Sequence, residues 1–318
     1  MADFFAQCNK WLGKNMFIVV LTGLLVGFSA NISDSPLLRK VVVALFAYMT
    51  FVTALDTSFK DFIKVLFKPW ISVWILVLVH LVTPFTAWLA GLVFYPDDPL
   101  IRLGYLIGAA IPIGVTSVIW TAIVNGNLPV SLVAVTLDTF VVPIVLPLFL
   151  HVIIGQSIQL DYLTMIEELM LMVTIPSVIG MLLHDWTHGR VAEFTHGFGG
   201  ATSKLGLFGV IAINAAVVMP HINWDATIIK TLLVTLFIVA AGYFVGYLGS
   251  FALKDRTQEM ALTMMFNVGI RNNACGLVIA LTYFPPAVAV PMTLSILYQQ
   301  PLATIITRFY KQYKQTGV

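Results

Sequence analysis

The chain has 318 residues, of which 59% are hydrophobic and only 10% are charged, and its mean hydropathy is +0.94. A soluble domain carries about 25% charged residues, so this chain cannot coat itself with a water-facing surface, which excludes a soluble enzyme or a nucleic-acid binder. A net charge of +2 says little by itself, because in a membrane protein the placement of charge matters more than its sum.

A membrane-spanning helix needs roughly 20 mainly apolar residues. Apolar runs between polar breaks predict ten spans, at 15–33, 37–55, 69–94, 101–125, 128–155, 165–184, 204–220, 227–253, 257–284 and 286–308. The first follows "NKWLGK" and is read as a span, not as a signal peptide cleaved after "FSA", because the rest of the chain is polytopic. The third opens "KPWISVWILVL", with tryptophans near the bilayer edge as interfacial belts have them. Cys8 and Cys275 fall before the first span and inside a late one, so no disulfide framework is implied.

Charge placement sets the orientation. With the N-terminus inside, Lys10, Lys14, Lys60, Lys64, Lys68, Arg190, Lys204, Lys254, Arg256, Arg308, Lys311 and Lys314 are cytoplasmic. Arg39, Lys40, Arg102 and Lys230 are outside, and Arg271 is left in the membrane. Twelve against four is a clear positive-inside bias, with both termini cytoplasmic. The loop "YPDDP" lies outside, and Glu167, Glu168 and His151 near the outer interface are read as solvated.

Two spans carry breaks. The fourth reads "GAAIPIGVTSVIWTAIVNGN" and the ninth "MMFNVGIRNNACGLVIALTYF". Pro112 removes a helical hydrogen bond, and Gly114 and Gly269 relax the backbone. Laying "IPIGVTS" over "FNVGIRN" aligns the glycines at an offset of 155. Five helices separate the breaks, so the halves, 1–155 and 160–318, are predicted to be inverted repeats with one discontinuous helix each. Pro112–Gly114 and Val268–Ile270 are the predicted non-helical, crossing segments.

Unwound backbone at membrane depth must be buried in protein or line a wet cavity. Each half-helix N-terminus favours anions. Thr116 and Ser117 stand at one, and Arg271, Asn272 and Asn273 at the other; all are groups that hydrogen-bond a carboxylate, and arginine can grip it bidentately. Asp138 is ten residues into the fifth span, about 15 Å deep at ~1.5 Å per residue. A charge at that depth is costly unless it faces the interior and has a partner. Arg271 is therefore read as the receptor of an anionic substrate, with Asp138 balancing it when the site is empty; the alternative is a buried Arg271–Asp138 ion pair that only fixes helix packing. His80 is read as a helix-packing histidine with one hydrogen bond.

The order of "TPFTAWLAGL" (83–92), "PIGVTSVIWTAIVNGNLPVSL" (112–132) and "NVGIRNNACGLVIA" (267–280) resembles the bile acid:sodium symporter family, over about residues 45 to 300. The resemblance implies an all-α fold of ten helices, with a panel domain of spans 1, 2, 6 and 7 and a core domain of spans 3–5 and 8–10. It also implies a substrate next to the two crossovers. The departures bear on coupling. Asn267 stands where sodium-coupled relatives have an acidic residue, Arg271 where they have glutamine, and Val118 and Val135 where they have sodium ligands. Ser117 and Ser131 remain, and Asn272 keeps a substrate-side asparagine. Sodium wants several hard oxygens, usually with an anionic one, so no sodium or other metal site is assigned. Asp138, His80, Asn267 and Ser131 are left as the candidates for coupling or charge balance.

The function expected is a secondary carrier of small organic anions, bile-acid-like or smaller, in the plasma membrane, working by alternating access with no cofactor. Uniport, exchange or proton coupling through Asp138 or His80, a carrier of the auxin-efflux type, and a non-transporting sensor are the alternative readings. An intramembrane protease lacks its parts: there is no HExxH, and only one aspartate is deep enough for a carboxylate pair. The substrate's identity and the oligomeric state are not legible in the residues.

Overall fold

A computed structural model describes residues 2–30, 32–60, 63, 70–154, 161–222, 224–225 and 227–315. Lys64 and Lys68, counted above as cytoplasmic, lie outside these residues. The helices are α1 (Ala2–Lys14), α2 (Met16–Ser29), α3 (Pro36–Ala54), α4 (Trp70–Phe94), α5 (Pro99–Ala110), α6 (Thr116–Ile123) and α7 (Leu128–Ile153). They continue as α8 (Tyr162–Trp186), α9 (Phe198–His221), α10 (Thr227–Ala252), α11 (Gln258–Gly269), α12 (Asn273–Tyr283) and α13 (Val290–Gln315). Among the described residues, α3, α4, α7, α8, α9 and α10 are each long and apolar enough to cross a membrane alone.

Local chemistry fixes the helix ends. Ser35 caps α3 by accepting from the Leu38 N–H, with Pro36 at the first helical position, where its missing N–H costs nothing. Asp98 and Pro99 open α5 in the same way. Asp161 caps α8; hydrogen bonds from the Thr164 hydroxyl and N–H hold its carboxyl below the ordinary range.

The chain divides into two compact units. One gathers α1–α3, α8, α9, the part of α7 from Thr139 and the last turn of α12. The other gathers α4–α6, α10, α11, α13, the part of α7 up to Asp138 and most of α12.

In the first unit, α1 was not among the predicted spans. It bends 80° from α2 and leaves Phe4 and Trp11 exposed, while Phe5 packs edge-on against Phe198. Asn9 donates to the carbonyls of Thr195 and His196 at 3.0 and 2.9 Å. A polar, amphipathic helix with exposed aromatics has the make-up of one lying in the membrane interface. Helix α2 reaches α9 through a glycine pair four residues apart, Gly23 and Gly27. A Cβ at Gly27 would meet Ala212 O at 2.4 Å and Ala215 Cβ at 2.6 Å.

The second unit uses the same device. Gly242 and Gly246 in α10 let α11 approach, and a Cβ at Gly246 would lie 2.5 Å from Met264 O and 2.8 Å from Met265 Cα. In lipid no hydrophobic force separates helices from tails, so close backbone packing of small residues carries the association. Because the obstacles at Gly246 are backbone atoms, Gly246→Ala is expected to cost about 1–3 kcal/mol, read as a fall in the melting temperature of the detergent-solubilised protein. Gly209→Ala is the control. Its Cβ would meet only the tip of Leu45 at 3.5 Å, and it should melt at or above the parent.

Candidate substrate site at the helix crossover

Between α5 and α6 the chain runs non-helically through Ile111–Val115, and between α11 and α12 through Ile270–Asn272. The two segments cross in the second unit as an isolated antiparallel bridge between Ile113 and Arg271. The Gly114 N–H donates to Ile270 O and the Asn272 N–H to Pro112 O, each at 2.8 Å. Pro112 has no N–H with which to continue a helix. Gly114 has no Cβ, which would lie 2.9 Å from Arg271 O. Backbone groups that lipid could not satisfy are thus satisfied by each other. The first break falls where the sequence placed it. The second starts at Ile270, two residues later than predicted: Val268 and Gly269 finish α11, and the Ile270 carbonyl turns across to Gly114. Asn272 caps α12 by accepting from the Cys275 N–H.

Asp138 is fully buried in α7. One carboxylate oxygen accepts from the Ile113 N–H and the other faces His80 Nε2, both at 2.5 Å. The sequence reading paired Asp138 with Arg271; Asp138 is instead paired with His80, and Arg271 makes no ion pair among the described residues. His80 makes the one hydrogen bond expected of it.

The Arg271 side chain is 8% exposed. Nη2 donates to Thr83 Oγ1 at 2.5 Å and to Val79 O at 3.4 Å, while Nη1 is buried without a hydrogen-bond partner among the described residues. Residues Leu78–Val82 form a π-turn within α4. Such a turn loosens the helical ladder and often marks a functional position; here it presents the Val79 carbonyl. Arg271 lines a cavity of about 50 Å³ within the second unit, together with Thr83, Asn273, Ser295 and Gln299. Asn273 donates to Gln299 Oε1 at 2.6 Å and accepts from the Ser295 hydroxyl at 3.0 Å, and Gln299 donates to the Arg271 carbonyl at 2.8 Å.

Ser117, Ser131 and Asn267 form a separate, fully buried cluster. Asn267 Nδ2 donates to Ser131 Oγ at 2.9 Å and to Thr263 O at 2.8 Å, and Asn267 Oδ1 accepts from Ser117 Oγ at 3.3 Å. The cluster is neutral and closed on itself. Thr116 accepts from Gln300. Of the five residues predicted to receive substrate, only Arg271 and Asn273 reach the cavity. Thr83, Ser295, Gln299 and Gln300 were not singled out, although "YQQP" (298–301), two adjacent amides before a proline in a late apolar span, was the available signal.

Unequal partnering gives an unequal cost. His80→Ala leaves a buried carboxylate with a single donor, and breaking a buried pair costs about 3–5 kcal/mol. Arg271→Gln removes a cation that has no carboxylate. Thermal unfolding in detergent should show a large fall for the first and little or none for the second.

Known proteins supply the remaining identification. The model of the "Sodium Bile acid symporter family" matches residues 42–226, more than half of the chain. The chain is 34% identical over 262 residues to the uncharacterized protein YbaS of Bacillus subtilis, covering 82% of this chain and 85% of that protein. It is 23% identical to the uncharacterized sodium-dependent transporter YocS of the same organism, over 99% of this chain and 97% of that one. It is also 23% identical to the probable chloroplastic sodium/metabolite cotransporter BASS2 of rice, over 76% of this chain and 57% of that one. With its apolar helices, the chain belongs to the sodium bile acid symporter family: a multi-pass membrane transporter, and not an enzyme.

Proposed function

We propose that this transporter is a secondary carrier of small organic anions, working by alternating access in the plasma membrane with both termini cytoplasmic. Its ten crossings form two inverted halves, 1–155 and 160–318, with spans 1, 2, 6 and 7 as panel and spans 3–5 and 8–10 as core. The two crossed breaks and the grouping of α4–α6 with α10, α11, α13 and most of α12 support that reading. One observation carries the substrate class: a buried guanidinium that, among the described residues, makes no ion pair and leaves Nη1 without a hydrogen bond lines a cavity next to crossed half-helices. A permanent cation in low dielectric favours an anion strongly. Arg271 and Asn273 receive it, while Asn272, Thr116 and Ser117 stand at the half-helix ends beside the crossover.

One relative is named a sodium-dependent transporter and another a probable sodium/metabolite cotransporter. This chain is proposed to work without sodium, because the Ser117–Ser131–Asn267 cluster has no carboxylate and its amide is already engaged. Asp138 and His80 form the site through which a proton could couple. The alternatives are a uniporter or an exchanger.

Two measurements test these statements. Uptake of a substrate organic anion into proteoliposomes should be nearly equal in sodium and in choline at fixed ionic strength; tenfold stimulation by sodium would refute the reading of the cluster. Because Asp138 has its own partner in His80, Arg271→Gln alone is informative. It should fold normally and lose anion affinity by about 1.5–3 kcal/mol, the worth of a charge-assisted hydrogen bond. Unchanged affinity in a folded Arg271→Gln protein would remove Arg271 from substrate binding.

A further inference from the structure

We propose that the Arg271 cavity is itself a complete binding site for a compact monovalent carboxylate of about one to three carbons, held wholly within the second unit. The inference rests on reading Arg271 as the anion receptor, and adds the size, charge and place of what it receives.

Charge sets the valence. Arg271 is the only ionisable side chain besides Tyr105 among the residues lining the cavity, so a second carboxylate would be buried without a counter-ion. The polar lining comes from Arg271, whose Nη1 has no hydrogen-bond partner among the described residues, with Asn273, Gln299, Ser295 and Thr83. Helix α10 supplies Ile238, Val239 and Val245 to the same cavity, and α13 supplies Met292. A carboxylate head with a short apolar tail matches that division, whereas a halide would use only half of it. Pockets of this kind are largely apolar, with a few placed polar groups that fix orientation.

Volume sets the length. The cavity measures about 50 Å³, and on that scale one water takes about 10–15 Å³, so three to five non-hydrogen atoms fit. A Cβ added at Gly242 would make ordinary contact with the Gly269 backbone at 3.5 Å, and one at Gly108 would meet the flexible Met292 side chain at 3.0 Å, so Met292 is the movable part of the wall. A sterol-sized anion is several times too large.

The test is a thermal-shift and calorimetric titration of purified protein with choline salts of formate, acetate, propionate, hexanoate, succinate and a bile salt, with chloride and sulfate at matched ionic strength. A ligand that binds only the folded state raises the melting temperature in proportion to its occupancy. Acetate and propionate should stabilise the wild type, with affinity falling about tenfold or more for each methylene beyond the limit. Arg271→Gln should abolish the shift. Met292→Ala, which opens the wall, should move the preference to longer chains, a change that loss of stability alone would not produce. Tighter Arg271-dependent binding of the bile salt, hexanoate or succinate would overturn the size and valence assignment while leaving Arg271 as an anion receptor. Chloride binding as tightly as acetate would overturn the carboxylate assignment. No Arg271-dependent binding of any anion would defeat the underlying reading as well.

Discussion

The second unit depends on the bridge between Ile113 and Arg271. Two interrupted helices at membrane depth expose backbone donors and acceptors that lipid cannot satisfy, and the groups of the other interruption are placed to meet them. Gly114 to Ile270 and Asn272 to Pro112 close that account on both sides. Asp138 then fixes the bridge from outside by accepting from the Ile113 N–H. A carboxylate is a stronger acceptor than a carbonyl, but it is costly to bury, and His80 offsets that cost. The π-turn in α4 belongs to the same construction, because it sets Val79, His80 and Thr83 toward the crossover, where they serve Arg271 and Asp138 in turn.

The partition of partners was the least legible feature. Sequence depth showed that Asp138 and Arg271 must both face the interior, and two opposite charges at one depth invite pairing. Nothing in the spacing distinguishes that pair from Asp138–His80, because the choice depends on how α4 and α7 are rotated about their axes. The breaks were legible for a simpler reason: proline lacks a donor and glycine lacks a Cβ, and both effects are local. Even there, the second break was misplaced by two residues, since α11 runs through Gly269 and stops only where the Ile270 carbonyl finds a cross-partner. Gln299 and Gln300 were passed over because amides in an apolar span draw less notice than charges. Helix α1 was passed over because its charges interrupt the hydropathy on which span-finding relies.

The two polar clusters near the crossover differ in kind. Ser117, Ser131 and Asn267 have exchanged hydrogen bonds among themselves and with Thr263, so a cation entering there would have to displace bonds already made. Around Arg271 the reverse holds: Nη2 is engaged and Nη1 is not. One cluster is closed and the other still has a donor to give. In a low-dielectric setting that difference is large, since an unmet charged donor costs more than an unmet neutral one.

A resident cation also has a consequence for energy coupling in the proposed carrier. A bound sodium ion neutralises an anionic substrate and then leaves, so the substrate's movement is tied to the ion's gradient. A guanidinium neutralises equally well but never leaves, and an ion that is not released transfers no free energy from its gradient. In the carrier proposed above, Arg271 standing in for a bound ion would preserve affinity while removing the driving force. It also moves the electrical burden. If the His80–Asp138 pair is neutral overall, the loaded site is close to neutral, whereas the empty site carries a charge worth about 2.3 kcal/mol per 100 mV when it crosses the full field. Membrane potential would act on the return of the empty carrier. Net uptake against a gradient would then need exchange with a second anion, or a proton taken up at the one titratable pair the crossover holds, His80 and Asp138.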